Sequence, residues 1–379
     1  MKKTFIASSN IVSPLGFTTD DNFRAVLAGK SGLKNHNLGF SDHDFCVSIL
    51  PTASLENQFQ KLCFNDEVYT KLEKMSIVSI ADAIRKTDLI LTSSDTLLIY
   101  CTTKGNINLL AQQTDLNPVP DGVELHHLAH KIADFFGLQN APVVVSNACI
   151  SSLQGLLIAR RFIESGTYKN VIVSGGDLVT QFTLSGFKSF NALSNSICKP
   201  FDLNRKGINI GEAVATVILT KDSEFSVEKI EVISGYTTND ANHISAPSRT
   251  GEGLYQAIQK TLSHTENKVD FVSAHGTGTI YNDEMESHAF HRTGLSETAM
   301  NSLKGHFGHT LGASGLLESI IAMRSVQQGE LIPSVGYESC GTPFELALIQ
   351  KRGQKNMTQF LKTSSGFGGC NAAVLFSKL

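Results

Sequence analysis

Cys149 is the residue in this chain best placed to attack a carbonyl carbon. It follows Val143-Val144-Val145-Ser146-Asn147-Ala148, whose β-branched start reads as a buried strand, and precedes Leu153, Leu156, Leu157, Arg160 and Ile163, which recur at helical spacing. A cysteine at a strand-to-helix turn faces the unpaired N–H groups of the helix, and their partial positive charge favours thiolate over thiol. The ordinary alternative is a structural thiol, because free cysteine is among the most buried residue types. Two histidines bear on the choice. His275, in Ser273-Ala274-His275-Gly276-Thr277-Gly278-Thr279, directly follows an apolar strand and so stands at its carboxyl end, where open parallel sheets hold their ligands. His309 closes Asn301-Ser302-Leu303-Lys304-Gly305-His306-Phe307-Gly308-His309 and precedes a helix whose apolar face is Leu316, Leu317, Ile320 and Ile321. A thiol and two imidazoles at element ends, the imidazoles flanked by glycines and threonines, have the composition of a catalytic set.

These residues need a framework of strands. The strand at 143–145, the helix after Cys149 and a second apolar strand at 171–173 make a βαβ unit of about thirty residues, which implies a largely parallel sheet buried on both faces. Upstream, a strand over 4–15 turns at Ser13-Pro14-Leu15-Gly16 into a helix over 19–28. Residues 35–65 read as polar and irregular, 71–85 as a helix, 96–100 as a strand and 121–137 as a helix. Residues 181–212 show little periodicity and read as a long functional loop. A strand at 213–219 and a charge-rich stretch at 221–229 put a boundary near residue 226, dividing the chain into 1–226 and 227–379. The second part repeats the grammar: strand 230–235, helix 253–262, strand 271–274, helices around 283–291 and 312–328, and a strand at 372–376. Similar elements on each side suggest a duplicated α/β architecture.

Composition narrows the class. At 379 residues the chain can bury ample core, and its seven cysteines are odd in number, scattered and without a CxxC pair. That usage suits a reducing compartment, with cytoplasm the expectation. Lys2 and Lys3 before Phe5-Ile6-Ala7 imitate a signal peptide, but Ser8-Ser9-Asn10 cuts the apolar run short. No stretch is long enough to span a membrane. A net charge of −3 without a basic run argues against nucleic acid as a partner. Gly29-Lys30-Ser31 is no phosphate loop, since the earlier glycine it requires is Arg24. His126 and His130 share a helical face, but no third ligand follows at matching spacing, so they read as surface histidines and no metal site is expected.

Taken together, Asn147-Ala148-Cys149-Ile150-Ser151-Ser152, His275 through Thr279, and Lys304 through His309 resemble the Cys-His-His signature of the elongating β-ketoacyl-[acyl carrier protein] synthases. Ser13 to Gly16, Pro200-Phe201-Asp202, His243 to Pro247, Asp283 with Glu286, Glu318 and Gly366-Phe367-Gly368-Gly369 fall in that family's order, so the likeness spans nearly the whole chain. The resemblance implies a thiolase-like five-layer α-β-α-β-α fold assembled as a dimer. It implies an acyl group carried on Cys149 as a thioester, and condensation with malonyl-[acyl carrier protein] after loss of CO2. By the same resemblance His275 and His309 would stabilise the enolate, with Lys304 and Glu318 as an ordering charge pair. Backbone N–H groups of Cys149 and Phe367 would form the oxyanion hole, Phe367 would gate the pocket, and Thr277 and Thr279 would hold the pantetheine amides. Lys74 and Arg205 would dock the acidic carrier protein. No tightly bound cofactor is expected, the substrates travelling on the phosphopantetheine of acyl carrier protein.

Two other readings stay open. Cys370, where these synthases usually carry Thr or Ser, keeps a thiolase-type acyltransferase using coenzyme A in view. The segment 105–142, shorter than usual for the family, leaves room for a heterodimer with a related synthase or a partner subunit like chain-length factors, although such subunits usually lack the nucleophile.

Overall fold

A computed structural model describes residues 3–63, 67–112 and 119–379. Part of the short segment 105–142 therefore lies outside the described residues. Ten strands build the main sheet: β1 (Phe5–Val12), β2 (Thr96–Cys101), β3 (Val143–Val145), β4 (Asn170–Asp177), β5 (Ala213–Thr220), β6 (Ile230–Asn239), β7 (Phe271–Ser273), β8 (Met300–Asn301), β9 (Gln359–Gly366) and β10 (Cys370–Lys378). Their order is β8-β7-β9-β10-β6-β1-β5-β4-β2-β3. The first five strands, read inward from the β3 edge, run third, second, fourth, fifth, first; the last five, read inward from the β8 edge, run the same way. Directions repeat as well. β2 is parallel to β3 and β4, and β5 is antiparallel to β4 and β1. β7 is parallel to β8 and β9, and β10 is antiparallel to β9 and β6. Among the described residues, the ladder between the two five-stranded units pairs Phe5↔Glu231 and Ile6↔Ile230.

Helices sort into three layers around these sheets. α3 (Ser151–Ser165) and α6 (Ser314–Gln328) lie between the sheets, and Leu153, Leu156, Leu316 and Ile320 join Val173 of one sheet and Val374 of the other in a single core. α1 (Lys71–Arg85) and α2 (Leu125–Phe135) cover the outer face of the first sheet. α4 (Glu252–Leu262) and α5 (Ile280–Arg292) cover that of the second. Alternation along the strands explains the sorting. In β4, Val171 and Val173 enter the central core while Ile172 enters the outer one; in β10, Val374 and Phe376 point inward and Leu375 outward. A strand apolar on both faces belongs in a sheet covered on both sides. Local signals set the helix ends. Thr70 and Glu73 close a capping box on α1, and α3 and α6 stop at Gly166 and Gly329, both in left-handed backbone.

Three sequence expectations need correction. Residues 35–65 include the end of a ladder, Lys34–His36 with Phe45–Val47, and a helix, Thr52–Phe59; the strands are too short to show a period. Within 181–212 a helix runs over Gln181–Ser189, capped by Thr180. It buries only Thr183 and Leu184 and exposes Phe182, so it carries no apolar stripe to detect. β9 went unread because its buried residues include Lys362, Thr363 and Ser364, whose polarity argues against a core strand.

Candidate active site

Cys149 sits in the turn between β3 and α3. Ala148 before it has φ 42, a left-handed conformation that costs a residue with a side chain roughly 1–2 kcal/mol. Ser151 holds the turn: its Oγ accepts from Asn147 N–H at 2.8 Å and donates to the Ala148 carbonyl at 2.7 Å. From the other sheet, the end of β9 comes close enough that a side chain on Gly366 would lie 2.9 Å from Cys149 N. Glycine is what permits that approach. The next residue, Phe367, places its backbone amide near enough to the Cys149 sulfur to draw the thiol down.

The thiol is not a resting thiolate. Burial pushes it up to about 11, against which the charges of Lys104 and Lys304 and the Phe367 amide pull down. Burial thus works against the helix N-terminus on which the thiolate expectation rested. Its neighbour is His309, whose Nε2 lies 2.9 Å from Sγ. Burial also holds His309 and His275 well below the usual histidine value, with the positive charges of Lys304 and Lys362 adding to the effect. The site thus presents a neutral thiol and two neutral imidazoles.

Each histidine is fixed by backbone. The N–H groups of His275 and Gly276 donate to the two oxygens of Glu286, at 2.9 and 2.6 Å. At His275 Nδ1, Lys304 Nζ lies 3.5 Å away, and an ammonium can only donate, which favours the ring proton on Nε2; Ser364 Oγ lies 3.4 Å from the same nitrogen. The Ser364 hydroxyl also reaches the Cys149 carbonyl at 3.0 Å. His309 N–H donates to the Asn209 carbonyl at 2.7 Å, and its own carbonyl accepts from Gly211 N–H at 3.0 Å. A side chain at Gly211 would fall 1.9 Å from the Phe307 oxygen, so only glycine lets these segments touch. The two imidazoles meet edge to face, ring centres 5.2 Å apart. Beneath them Glu318 binds two lysines, Lys304 and Lys362, the latter at 2.7 Å.

A cavity of about 370 Å³ opens above Cys149, His275 and His309. Thr277 and Thr279 line it, their hydroxyls 2.8 Å apart, while Asp283 accepts from the Thr277 and Gly278 amides at 2.9 and 3.1 Å. At the mouth Phe367 stacks on Phe187, ring centres 5.5 Å apart, and meets Phe190 edge-on at 5.3 Å. Phe367 is 37 % exposed, Phe190 50 %.

The docking expectation fails for Arg205. Its side chain is 5 % exposed, and its guanidinium donates to the Asp202 and Gly341 carbonyls and to Glu284. Although Arg205 contributes to the cavity wall, the exposed base there is its neighbour Lys206. Lys74 is held by Glu56 at 2.6 Å, above the Phe59 ring, and is not among the residues around the cavity. His126 and His127 gather with Glu124 on the exposed surface. Sequence reading missed Phe187, Phe190 and Lys362. Neither the aromatic pair, which lies in and beside a helix without an apolar stripe, nor Lys362 gave a periodic signal.

Comparison with known proteins agrees with this geometry. Residues 79–224 match the family model described as the N-terminal domain of beta-ketoacyl synthase, and residues 230–338 match its C-terminal domain. A 3-oxoacyl-[acyl-carrier-protein] synthase 2 of Vibrio cholerae is 24% identical, the alignment covering 100% of this chain and 99% of the relative. Among solved structures, the ishigamide ketosynthase/chain length factor superposes with a TM-score of 0.86 at 22% identity, over 100% of this chain and 99% of that one. A beta-ketoacyl synthase from Burkholderia phymatum gives 0.86 at 21% identity, over 100% of both chains. Both likenesses extend to the fold of alternating helix and sheet layers.

Proposed function

The chain belongs to the β-ketoacyl synthase family, and we propose that it condenses an acyl thioester with malonyl-[acyl carrier protein] at Cys149. In the first step the Cys149 sulfur attacks the acyl carbonyl, the bond to the pantetheine sulfur breaks, and the thiol proton passes to the leaving thiolate by way of His309. In the second, the malonyl group loses CO2 and the electron pair of that bond becomes an enolate. The enolate carbon attacks the acyl carbonyl on Cys149, and the cysteine leaves as thiolate and takes up a proton from solvent. The negative charge that develops on the enolate oxygen is met by the N–H of His275 and by His309. The Phe367 amide at the Cys149 sulfur favours an oxyanion hole shared with the Cys149 amide. Thr277 and Thr279 offer hydroxyls to the amides of the pantetheine arm, and Phe367 would swing to admit it. The observation that carries the reading is the convergence of the Cys149, His275 and His309 donor atoms, all within 4.8 Å of one another in a buried site.

Cys370 favours this reading over a thiolase. Its thiol rests against the Phe367 and Asn147 carbonyls, 3.4 and 3.8 Å away, and is not among the residues around the cavity. The acyl carrier protein is the natural donor, and the enzyme acts as a dimer of identical or related chains. β3 supports that assembly: it is a sheet edge with Val143 and Val144 half-buried, open to pairing with a second strand. We also assign the enzyme to the cytoplasm, in keeping with the free thiols of Cys149 and Cys370.

The test is a reconstituted reaction. With acyl- and malonyl-[acyl carrier protein], β-ketoacyl product and CO2 should form in equal amounts, and Cys370→Ser should keep the rate within a few-fold. Product from two acyl-coenzyme A molecules without CO2, abolished by Cys370→Ser, would establish the thiolase reading instead.

A further inference from the structure

One buried charge has no role in the mechanism above. Lys304, Lys362 and Glu318 have side chains 0 %, 0 % and 3 % exposed, so a single carboxylate serves two lysines sealed from water. Lys362 Nζ also donates to the carbonyls of Ser273 and Ala274, both at 3.1 Å, and of Thr363 at 2.7 Å. Ser273 and Ala274 are the two residues before His275. Lys304 Nζ donates to the carbonyl of His275 itself at 3.1 Å. Both ammonium groups therefore sit directly below the strand end that presents the imidazole.

Other charged groups nearby do not cancel the second lysine. Glu286 spends its oxygens on the His275 and Gly276 amides and on the side-chain amide of Asn282. Burial and the charge of Asp283 raise it while Lys362 draws it down, but it forms no ion pair with Lys362 among the described residues; Lys362 is itself lowered by burial, against which Glu318 holds it. Asp283 accepts from the Phe201, Thr277 and Gly278 amides and faces Arg205 at 4.0 Å. Lys104, Asp177 and Cys149 also surround the site; Lys104 and Asp177 act on the thiol with opposite sign. Burying an ion pair seldom gains stability over apolar residues of the same shape, and a second lysine on one carboxylate gains less. The use of Lys362 is therefore to be sought in its charge.

We propose that Lys362 supplies uncompensated positive charge beneath His275 and His309 and that this charge, acting through the two imidazoles, stabilises the enolate formed when the malonyl group loses CO2. Lys362 is thus a positioning residue, separated from the substrate by His275. The inference rests on the condensation reading. Burial is the main reason that the resting imidazoles are unprotonated; positive charge below them adds to it and favours negative charge above. The placement of Lys362 also separates the two half-reactions. Lys104 and Lys304 lower the Cys149 thiol, and the charge of Lys362 opposes protonation of the His309 relay, so losing Lys362 is not expected to slow acylation.

The test uses Lys362→Gln, which keeps a donor for the carbonyls, leaves the Lys304–Glu318 pair intact and removes one charge. A second variant, Lys362→Gln with Glu318→Gln, removes one charge of each sign and restores the balance of the natural protein. Two rates are measured in each: CO2 release from malonyl-[acyl carrier protein], and acylation of Cys149 followed by mass. Expected for the single variant is CO2 release slower by tenfold or more with acylation within threefold of the natural rate. The double variant should recover at least half of the lost CO2 release on a logarithmic scale. Unchanged CO2 release in the single variant overturns the proposal, as does an equal loss in both half-reactions. A double variant no faster than the single one also overturns it, reducing Lys362 to a support for the strand end. If the natural protein acylates Cys149 but releases no CO2, the condensation reading fails and takes this inference with it.

Discussion

The floor and the mouth of the cavity are built on opposite plans. Below the imidazoles, Lys304, Lys362 and Glu318 are sealed from water, and every hydrogen bond they make ends on a fixed partner. At the mouth, Phe187, Phe190 and Phe367 hold one another through ring contacts alone, and Phe190 and Phe367 remain partly exposed. Charges act strongly in a dry interior and weakly at a wet surface, so the groups that must stabilise an enolate belong in the floor. A gate must move to admit a long flexible arm, and apolar contacts, whose hydrophobic part is non-directional, allow that at less cost than fixed hydrogen bonds. The glycines on either side of Phe367, Gly366 and Gly368, serve the same end; Gly368 has φ 84, which a residue with a side chain seldom adopts.

The comparison breaks if changes at the two levels have similar effects. His309→Ala removes an enolate donor and should slow condensation by about 10²–10³-fold, measured as β-ketoacyl product under saturating carrier protein. Glu318→Leu strands two buried lysines without their carboxylate and should cost roughly 3–5 kcal/mol of stability by denaturant unfolding. Phe190→Ser at the mouth, by contrast, should stay within about 0.5 kcal/mol, as surface substitutions usually do. A comparable loss in both would show that the mouth is as fixed as the floor.

The pH dependence of Cys149 sharpens the same contrast. With the thiol raised to about 11 by burial, its deprotonated fraction climbs throughout the range below that value. Alkylation by iodoacetamide in the absence of substrate should therefore rise about tenfold per pH unit between pH 7.5 and 9.5 without a plateau. A plateau near pH 8 would mean that the helix N-terminus prevails over desolvation after all. The smallest effect is expected from Lys206→Glu at the exposed rim, a several-fold higher KM for acyl carrier protein with no change toward a small acyl thioester. Equal losses on both substrates would remove Lys206 from the docking surface.

How much of this was legible beforehand followed from where each residue sits. Cys149, His275 and His309 mark the ends of strongly apolar elements, so their neighbours announced both the strand and the turn. β10 and α6 were readable for the same reason, their apolar residues falling at the period of the element. The floor was only half legible. Lys304 and Glu318 came from a family resemblance, whereas Lys362 lies in Phe360-Leu361-Lys362-Thr363-Ser364, a strand in which Lys362 and Ser364 find partners distant in sequence. Arg205 was misread because nothing in its own loop reveals that Glu284 and the Gly341 carbonyl would enclose it. The aromatic mouth was hidden because the helix Gln181–Ser189 turns phenylalanines toward the cavity and toward solvent instead of toward a core. Periodicity reports burial, and a gate is not buried.

The measurement that bears most directly on the whole account is the mass of the Cys149 peptide during one turnover. Incubated with acyl-[acyl carrier protein] alone, that peptide should gain one acyl group, and the modification should be absent in Cys149→Ala. Adding malonyl-[acyl carrier protein] should then return the peptide to its original mass as β-ketoacyl-[acyl carrier protein] and CO2 appear in equal amounts. Condensation that proceeds with Cys149 unmodified, or that survives Cys149→Ala, would contradict the assignment of the nucleophile and with it the mechanism built around the two histidines.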